Sequence, residues 1–194
     1  ASIGNNITLT FTASESIQTP TVAFMSGGET IQNTNNVTYA NTGNTWTAVY
    51  AVHTDDTDGD VSFTITYEDL VGNAGVSASA VTDGSSVTVD ATPPTLSAVS
   101  ITSDNNSNDT TLAKEGNVVT LTFTASETIQ TPTVSFTSGL VSVADTNNDA
   151  SNTSGNTWTS SYTVDSGDTD GIVEFNIAFT DSAGNDGSNV STVN

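Results

Sequence analysis

The chain repeats itself at a fixed offset of 112 residues. The stretch of fourteen residues that begins at Leu9 returns at Leu121 with a single Ser-to-Thr change, and no insertion is needed to register residues 1–82 with residues 113–194. A period of this length indicates a whole domain copied in tandem, because solenoid units are only about 20–50 residues long. The same offset relates several landmark residues: Trp46 and Trp158, Tyr50 and Tyr162, Phe63 and Phe175, Asn73 and Asn185.

The two copies meet at a joint that contains proline. Asp90 is followed within four residues by two consecutive prolines, and paired prolines restrict a chain to extended conformations. Residues 83–112 occur only once, and we expect them to hold the last strand of the first copy and the first strand of the second. The sequence therefore predicts two domains, 1–90 without its first strand and 91–194 without its last. Either the copies belong to a longer array, or neighbouring copies supply the missing strands.

Apolar and polar residues alternate along much of the chain. Residues 7–13 place Ile, Leu, Phe and Ala on one face and Thr on the other, and Val61, Phe63 and Ile65 share a face further along. This period of two is typical of strands with one face on a core and one in water, and no segment has the period of an amphipathic helix. The pattern predicts an all-β fold of two tandem antiparallel β-sandwiches, with about seven strands in each.

Strand positions follow from the same alternation and from the turn signals between the runs. In the second copy these signals predict strand C at 132–138, strand D near 140–145 and strand E at 156–165. Trp46 and Trp158 fall on core-facing positions of strand E in their copies, so we expect both indoles in the core rather than on a ligand platform.

The charge of the chain excludes several classes of partner. The sequence has 22 acidic residues against a single Lys and no Arg, which gives a formal charge of −21. Nucleic-acid binding and docking on anionic membranes both depend on Lys and Arg, so neither is expected. No apolar run approaches the roughly 18 residues of a membrane helix. Because self-repulsion on this scale destabilises a compact state, we expect divalent cations, high salt or both in its surroundings.

Short motifs that occur along essentially the whole chain point to one module type. They are the Thr-Ala-Ser-Glu stretches, Gly-Asn-Thr-Trp-Thr, Gly-Asp-Thr-Asp-Gly, Asp-Ser-Ala-Gly-Asn and the joint Val-Asp-Ala-Thr-Pro-Pro-Thr. In these motifs the chain resembles the bacterial Ig-like repeats of giant surface proteins and adhesins. The resemblance implies Ig-like sandwiches that extend a ligand-binding tip away from the cell, often with calcium at the joints. The Cys…Trp…Cys core of antibody domains is absent, since the chain has no Cys.

Acidic residues at strand ends are the main candidates for a site. In an Ig-like sandwich the B–C and F–G loops lie at the end where the chain enters, so Asp90, Glu127, Asp181 and Asn185 are expected to converge at the joint. Such hard oxygen ligands suit Ca²⁺, which takes six to eight of them. The matching residues of the first copy are Glu15, Asp69 and Asn73, and Asp58 of the preceding loop is a further candidate. The alternative is that Asp and Asn only form solvated turns here.

The sequence does not predict an enzyme. No nucleophile–base pair can be assembled, and a glycosidase would need a cleft with sugar-stacking aromatic residues, whereas the aromatic residues here fall on core-facing positions. Rows of Thr on the solvent face of strand B leave open a carbohydrate- or ice-binding module, although Thr is also an ordinary choice for such a face.

The function predicted from the sequence is therefore mechanical. We expect a structural extender segment of a secreted, extracellular bacterial surface protein or adhesin, with joints stiffened by calcium. Its partners would be neighbouring Ig-like repeats or subunits, and a cell-surface or glycan partner stays open. The alternative is a self-assembling extracellular filament subunit that exchanges strands between neighbours.

Overall fold

The computed structural model describes residues 1–31, 37–105, 109–143 and 149–193. Over these residues every regular element is a β-strand. The chain divides into two compact units, Ala1–Thr92 and Pro93–Asn194, and the division falls immediately before the first linker proline. No helix long and apolar enough to cross a membrane occurs among the described residues.

The first unit has two antiparallel sheets. Its described strands are β1 (Asn6–Thr12), β2 (Thr21–Ser26), β3 (Glu29–Thr30), β4 (Thr38–Thr42), β5 (Thr45–Ala51), β6 (Gly59–Thr66) and β7 (Thr88–Val89). One sheet has the order β1-β5-β4 and the other the order β3-β2-β6-β7. In immunoglobulin notation these orders are B-E-D and C′-C-F-G, which is the strand arrangement of an Ig-like sandwich.

The second unit has the same arrangement with a different set of edges. Its described strands are β8 (Leu96–Ser103), β9 (Val118–Ala125), β10 (Thr133–Ser138), β11 (Val141–Ser142), β12 (Ser151–Ser154), β13 (Thr157–Thr163) and β14 (Val173–Ala178). The sheets are β12-β13-β9-β8 and β11-β10-β14, or D-E-B-A and C′-C-F. Both units are thus Ig-like β-sandwiches, as the alternating pattern predicts.

The prediction for strand D is wrong. Val141–Ser142 is β11, and it pairs with β10 in the C–F sheet. Strand D is β12, which pairs with β13 in the other sheet. The tight turn after β10 returns the chain alongside the strand it has just left, so the chain forms a short hairpin before it crosses to the second sheet. Residues 144 and 145 of the predicted strand lie outside the described residues.

The two units bury equivalent side chains in equivalent registers. Phe11 lies opposite Trp46 in the first unit, as Phe123 lies opposite Trp158 in the second. Because side chains alternate between faces along a strand, this register directs the same apolar set inward in both copies. Both indoles are only 8% exposed, which confirms that they belong to the interior.

Core packing of β2 can be tested by truncation. Phe24 is 2% exposed and its ring lies 6.2 Å from that of Tyr50, so Phe24→Ala leaves a cavity and is expected to lower the free energy of unfolding by about 3–5 kcal/mol. Thr21→Ser on the solvent face of the same strand is the control, with a change within about 0.5 kcal/mol. Urea denaturation followed by tryptophan fluorescence measures both, and equal effects would contradict the assigned strand faces.

Candidate metal centre

The loop that follows β14 is organised around the carboxylate of Asp181. Its Oδ1 accepts hydrogen bonds from the backbone N–H groups of Gly184 (2.7 Å) and Asn185 (2.8 Å), and its Oδ2 accepts one from Asn185 Nδ2 (2.8 Å). The Asp181 backbone N–H in turn donates to the carbonyl of Asn185 (3.0 Å). Asp-Ser-Ala-Gly-Asn therefore closes on itself, with Gly184 supplying the positive φ of 103° that the turn requires.

Asp181 is fully buried and still held as a carboxylate. Its exposed fraction is 0% and that of Asn185 is 4%. Burial raises the pKa of Asp181, but the hydrogen bonds from the side chain and backbone of Asn185 and from neighbouring N–H groups outweigh that effect, so the pKa lies below its usual value of 3.8. The site thus keeps a negative charge in the interior of the sandwich.

A second carboxylate approaches this charge. Glu127 follows β9, is half-buried, and offers an oxygen within 4.8 Å of an oxygen of Asp181. The neighbouring Ser126 fixes the start of the unit, because its Oγ accepts from Thr95 N–H (3.0 Å) and its N–H donates to the Thr95 carbonyl (2.9 Å). At this separation two negative charges repel by roughly 3–4 kcal/mol at an effective dielectric constant of about 20. A cation between the two oxygens would offset that repulsion.

The first unit builds the same loop nearer the surface. Asp69 Oδ1 accepts from the N–H groups of Val71 and Asn73, each at 2.9 Å, and Oδ2 accepts from Asn73 Nδ2 at 2.6 Å. The backbone hydrogen bond from Asn73 is the largest of the contacts that lower the pKa of Asp69. Asp69 is half-buried, whereas Asn73 and Glu15 are exposed. The loop chemistry is thus repeated, but the burial is not.

Asp58, the further metal candidate of the first unit, accepts two hydrogen bonds from the start of the linker. Its Oδ1 accepts from the N–H of Ala91 (2.6 Å) and its Oδ2 accepts from Thr92 Oγ1 (2.5 Å). Both carboxylate oxygens therefore hold the start of the linker against the first unit. Asp90, just before these two residues, is half-buried, and its N–H donates to the carbonyl of Ala1 (2.9 Å).

The sequence offers the acids of the 55–60 loop as possible further ligands, and one of them is buried. Asp56 is 7% exposed, and its Oδ2 accepts hydrogen bonds from the Tyr50 hydroxyl and from His53 N–H (2.8 Å). Burial, followed by the hydrogen bond and charge of Asp56, raises the pKa of Tyr50 far above its usual value. The repeat indicates that this tyrosine and this acid belong together, because Tyr50 and Asp56 recur as Tyr162 and Asp168. This acid therefore has a structural role, as the acceptor that satisfies a core hydroxyl.

Comparison with known proteins gives structural likeness without sequence matches. No protein-family model and no curated protein sequence matches the chain. The I-band fragment I67-I69 from titin is similar at 12% identity and a TM-score of 0.46, over 98% of this chain and 59% of that one. The E-to-A mutated variant of the same titin domains is similar at 12% identity and a TM-score of 0.48, over 99% of this chain and 60% of that one. The titin Ig tandem A164-A165 is similar at 13% identity and a TM-score of 0.30, over 99% of this chain and 87% of that one. This chain therefore spans about three fifths of the length of the first two.

The buried carboxylate predicts a pH-dependent stability. Because the folded-state pKa of Asp181 is depressed, its contribution is present above the usual value of 3.8 and is lost as the pH falls through the lower folded-state pKa. Asp181→Asn replaces a charged acceptor and is expected to cost about 1–3 kcal/mol at pH 7. It should also flatten the acid limb of the stability curve.

The measurement is urea denaturation in EDTA between pH 7 and pH 2. Glu174→Gln is the matched control, because it also removes a negative charge but does so at an exposed position of β14. An Asp181→Asn curve parallel to that of the unmodified chain would contradict the assignment of an ionised carboxylate.

Proposed function

We propose that the chain is a structural extender segment of a secreted bacterial surface protein, whose joint is stiffened by Ca²⁺. The observation that carries the proposal is the ionised, buried carboxylate of Asp181 with the carboxylate of Glu127 beside it. Two close negative charges suit a hard divalent cation. The resemblance to bacterial Ig-like repeats and the net charge of −21 support the same function.

The ligand set is proposed as follows. Asp181 is held rigid by its own loop and would present an already oriented oxygen, so little conformational entropy is lost when a cation binds. Glu127 adds the second carboxylate, and Asn185, which is also buried, lies in the loop of Asp181. Asp90 is proposed as the third carboxylate, and water completes the six to eight oxygens that Ca²⁺ takes.

The linker is anchored on each side of its two prolines. Asp58 holds Ala91 and Thr92 within the first unit, and Ser126 holds Thr95 within the second through two hydrogen bonds. Only the two prolines, whose φ angles are fixed by their rings, separate these anchors. Such a linker has few soft torsions, which suits a spacer. In the proposed mechanism Ca²⁺ removes the repulsion among the carboxylates and restricts the remaining freedom.

Calcium is expected to stabilise the chain through Glu127. Extracellular calcium modules have Kd values of about 10⁻⁴–10⁻³ M. Addition of 10 mM Ca²⁺, or about 10–100 times Kd, should therefore stabilise by roughly 1.4–2.7 kcal/mol, or about 5 °C or more in the Tm. Glu127→Gln should abolish most of this shift. Glu15→Gln, at the matching exposed position of the first copy, should leave it unchanged.

Asp90→Asn tests the proposed third ligand separately. It should weaken the calcium response and leave the chain equally stable in EDTA. Small-angle scattering with and without Ca²⁺ reports whether the spread of joint angles narrows. If neither the Tm nor the scattering profile responds to calcium, the stiffening mechanism is wrong.

The second candidate is a filament subunit that exchanges strands. Among the described residues, β1 is an edge strand of the first unit. β14 is an edge strand of the second, although its Ile177 already exchanges two backbone hydrogen bonds with Val190. Unpaired edges are templates for pairing with another chain. For this candidate, negative-stain electron microscopy should show ordered polymers at micromolar concentration, and sedimentation should confirm them. A monodisperse monomer in both measurements would leave the extender as the function.

A further inference from the structure

The second unit has a groove beside the edge of β14. It has a volume of about 670 Å³. Its walls include Ala113 on one side and the segment 171–173 on the other. Its floor includes the core residues Val119 and Tyr162 together with the half-buried Val164. Ile172 on the rim is 79% exposed, which is a large apolar exposure for a single side chain.

The first unit shows what fills the equivalent position. In the first unit, Val89 and Ala91 are 1% and 5% exposed and pack in the core with Tyr50 and Val52. Tyr50 and Val52 are the counterparts of Tyr162 and Val164 on the floor of the groove. The side chains of one extended segment therefore cover the surface that the second unit leaves open.

Backbone pairing in the first unit also identifies the hydrogen-bonding groups. On one side, β7 pairs with β6 in the register Gly59↔Val89, and Val61 N–H donates to the Val87 carbonyl (2.9 Å). On the other side, the Ala1 amino group donates to the Thr88 carbonyl and the Ala1 carbonyl accepts from Asp90 N–H. The matching positions in the second unit are Gly171, Val173 and Ala113, and all three line the groove.

The carboxylate of Asp170 would favour a segment that carries suitably placed hydrogen-bond donors. In the first unit Asp58 accepts from the N–H of Ala91 and the hydroxyl of Thr92. Its counterpart, Asp170, lies at the rim of the groove and is exposed. A segment that ends in Ala-Thr, as the segment with the buried Val89 does, would supply both donors to Asp170.

From this correspondence we propose that the groove of the second unit is a strand-acceptor site. Its occupant is an extended segment of the sequence type Val-Thr-Val-Asp-Ala-Thr. The 87–92 segment is already seated in the first unit, so the groove needs a second segment of this type. The incoming strand pairs with Gly171 and Val173 on one side and with Ala113 on the other. Its second Val and its Ala cover the floor of the groove. This inference gives the strand-exchange candidate a defined site and register, and it does not depend on calcium.

The test uses a labelled synthetic peptide with the sequence of residues 85–94, added to the intact chain in EDTA. Fluorescence anisotropy should show saturable binding at micromolar to sub-millimolar peptide. Hydrogen exchange should slow at 171–173, while the exposed edge of β1 stays unchanged. A peptide with Asp in place of its second Val should bind at least tenfold more weakly, because a charge would be placed on the apolar floor.

Protein variants examine the polar contact. Asp170→Ala should weaken peptide binding by about tenfold or more, since it removes a charged acceptor of two hydrogen bonds. Asp149→Ala is the control, because it removes an exposed acid that does not line the groove, and it should stay within about twofold. Equal Tm values would confirm that both variants fold.

Each remaining outcome bears on a different claim. Equal binding of the peptide with the Val-to-Asp change, protection at β1 instead of 171–173, or no binding at millimolar peptide would overturn the acceptor site. Peptide binding by a chain that stays monomeric would support the acceptor site and remove the filament candidate. A chain that binds peptide but ignores calcium would remove only the stiffening mechanism.

Discussion

The structure depends on the burial of one face of every long strand between two sheets. Because side chains alternate along a strand, a slip of one residue would carry Phe123 and Leu121 to the surface and their Thr neighbours inward. The pairs Phe11 with Trp46 and Phe123 with Trp158 hold the same register in both copies. This constraint explains how a chain with only 34% hydrophobic residues builds two sandwiches, since each strand needs apolar side chains at alternate positions only.

Acidic residues near the strand ends accept hydrogen bonds that stabilise the loops and the linker. Asp181 and Asp69 close their loops by accepting N–H groups, Asp56 satisfies the hydroxyl of Tyr50, and Asp58 holds the linker. In a chain with a single Lys, these carboxylates cannot rely on salt bridges, so backbone and hydroxyl donors take that place.

The repeat makes each unit a reference for the other. Strand β7 completes the C–F sheet of the first unit, and the groove lined by Ala113, Asp170 and Gly171 marks the matching position of the second. Conversely, β8 covers the edge of β9, whereas β1 is an edge in the first unit. The two copies thus differ in which sheet edge is covered by a neighbouring strand, although their core sequences are similar.

The sequence by itself determined the fold class, the tandem duplication and the core-facing positions, because period-two alternation and a 112-residue offset are local or self-referential signals. It misplaced strand D, since a two-residue strand such as β11 is too short for any periodicity that could reveal which sheet it joins. It could not show that Asp58 accepts from Ala91 or that Asp56 accepts from the Tyr50 hydroxyl. Composition cannot tell a carboxylate that accepts from Tyr50 or Ala91 from one left for a cation. Only the tertiary structure decides which donors reach each carboxylate, because those partners lie on loops whose approach depends on how the sheets pack.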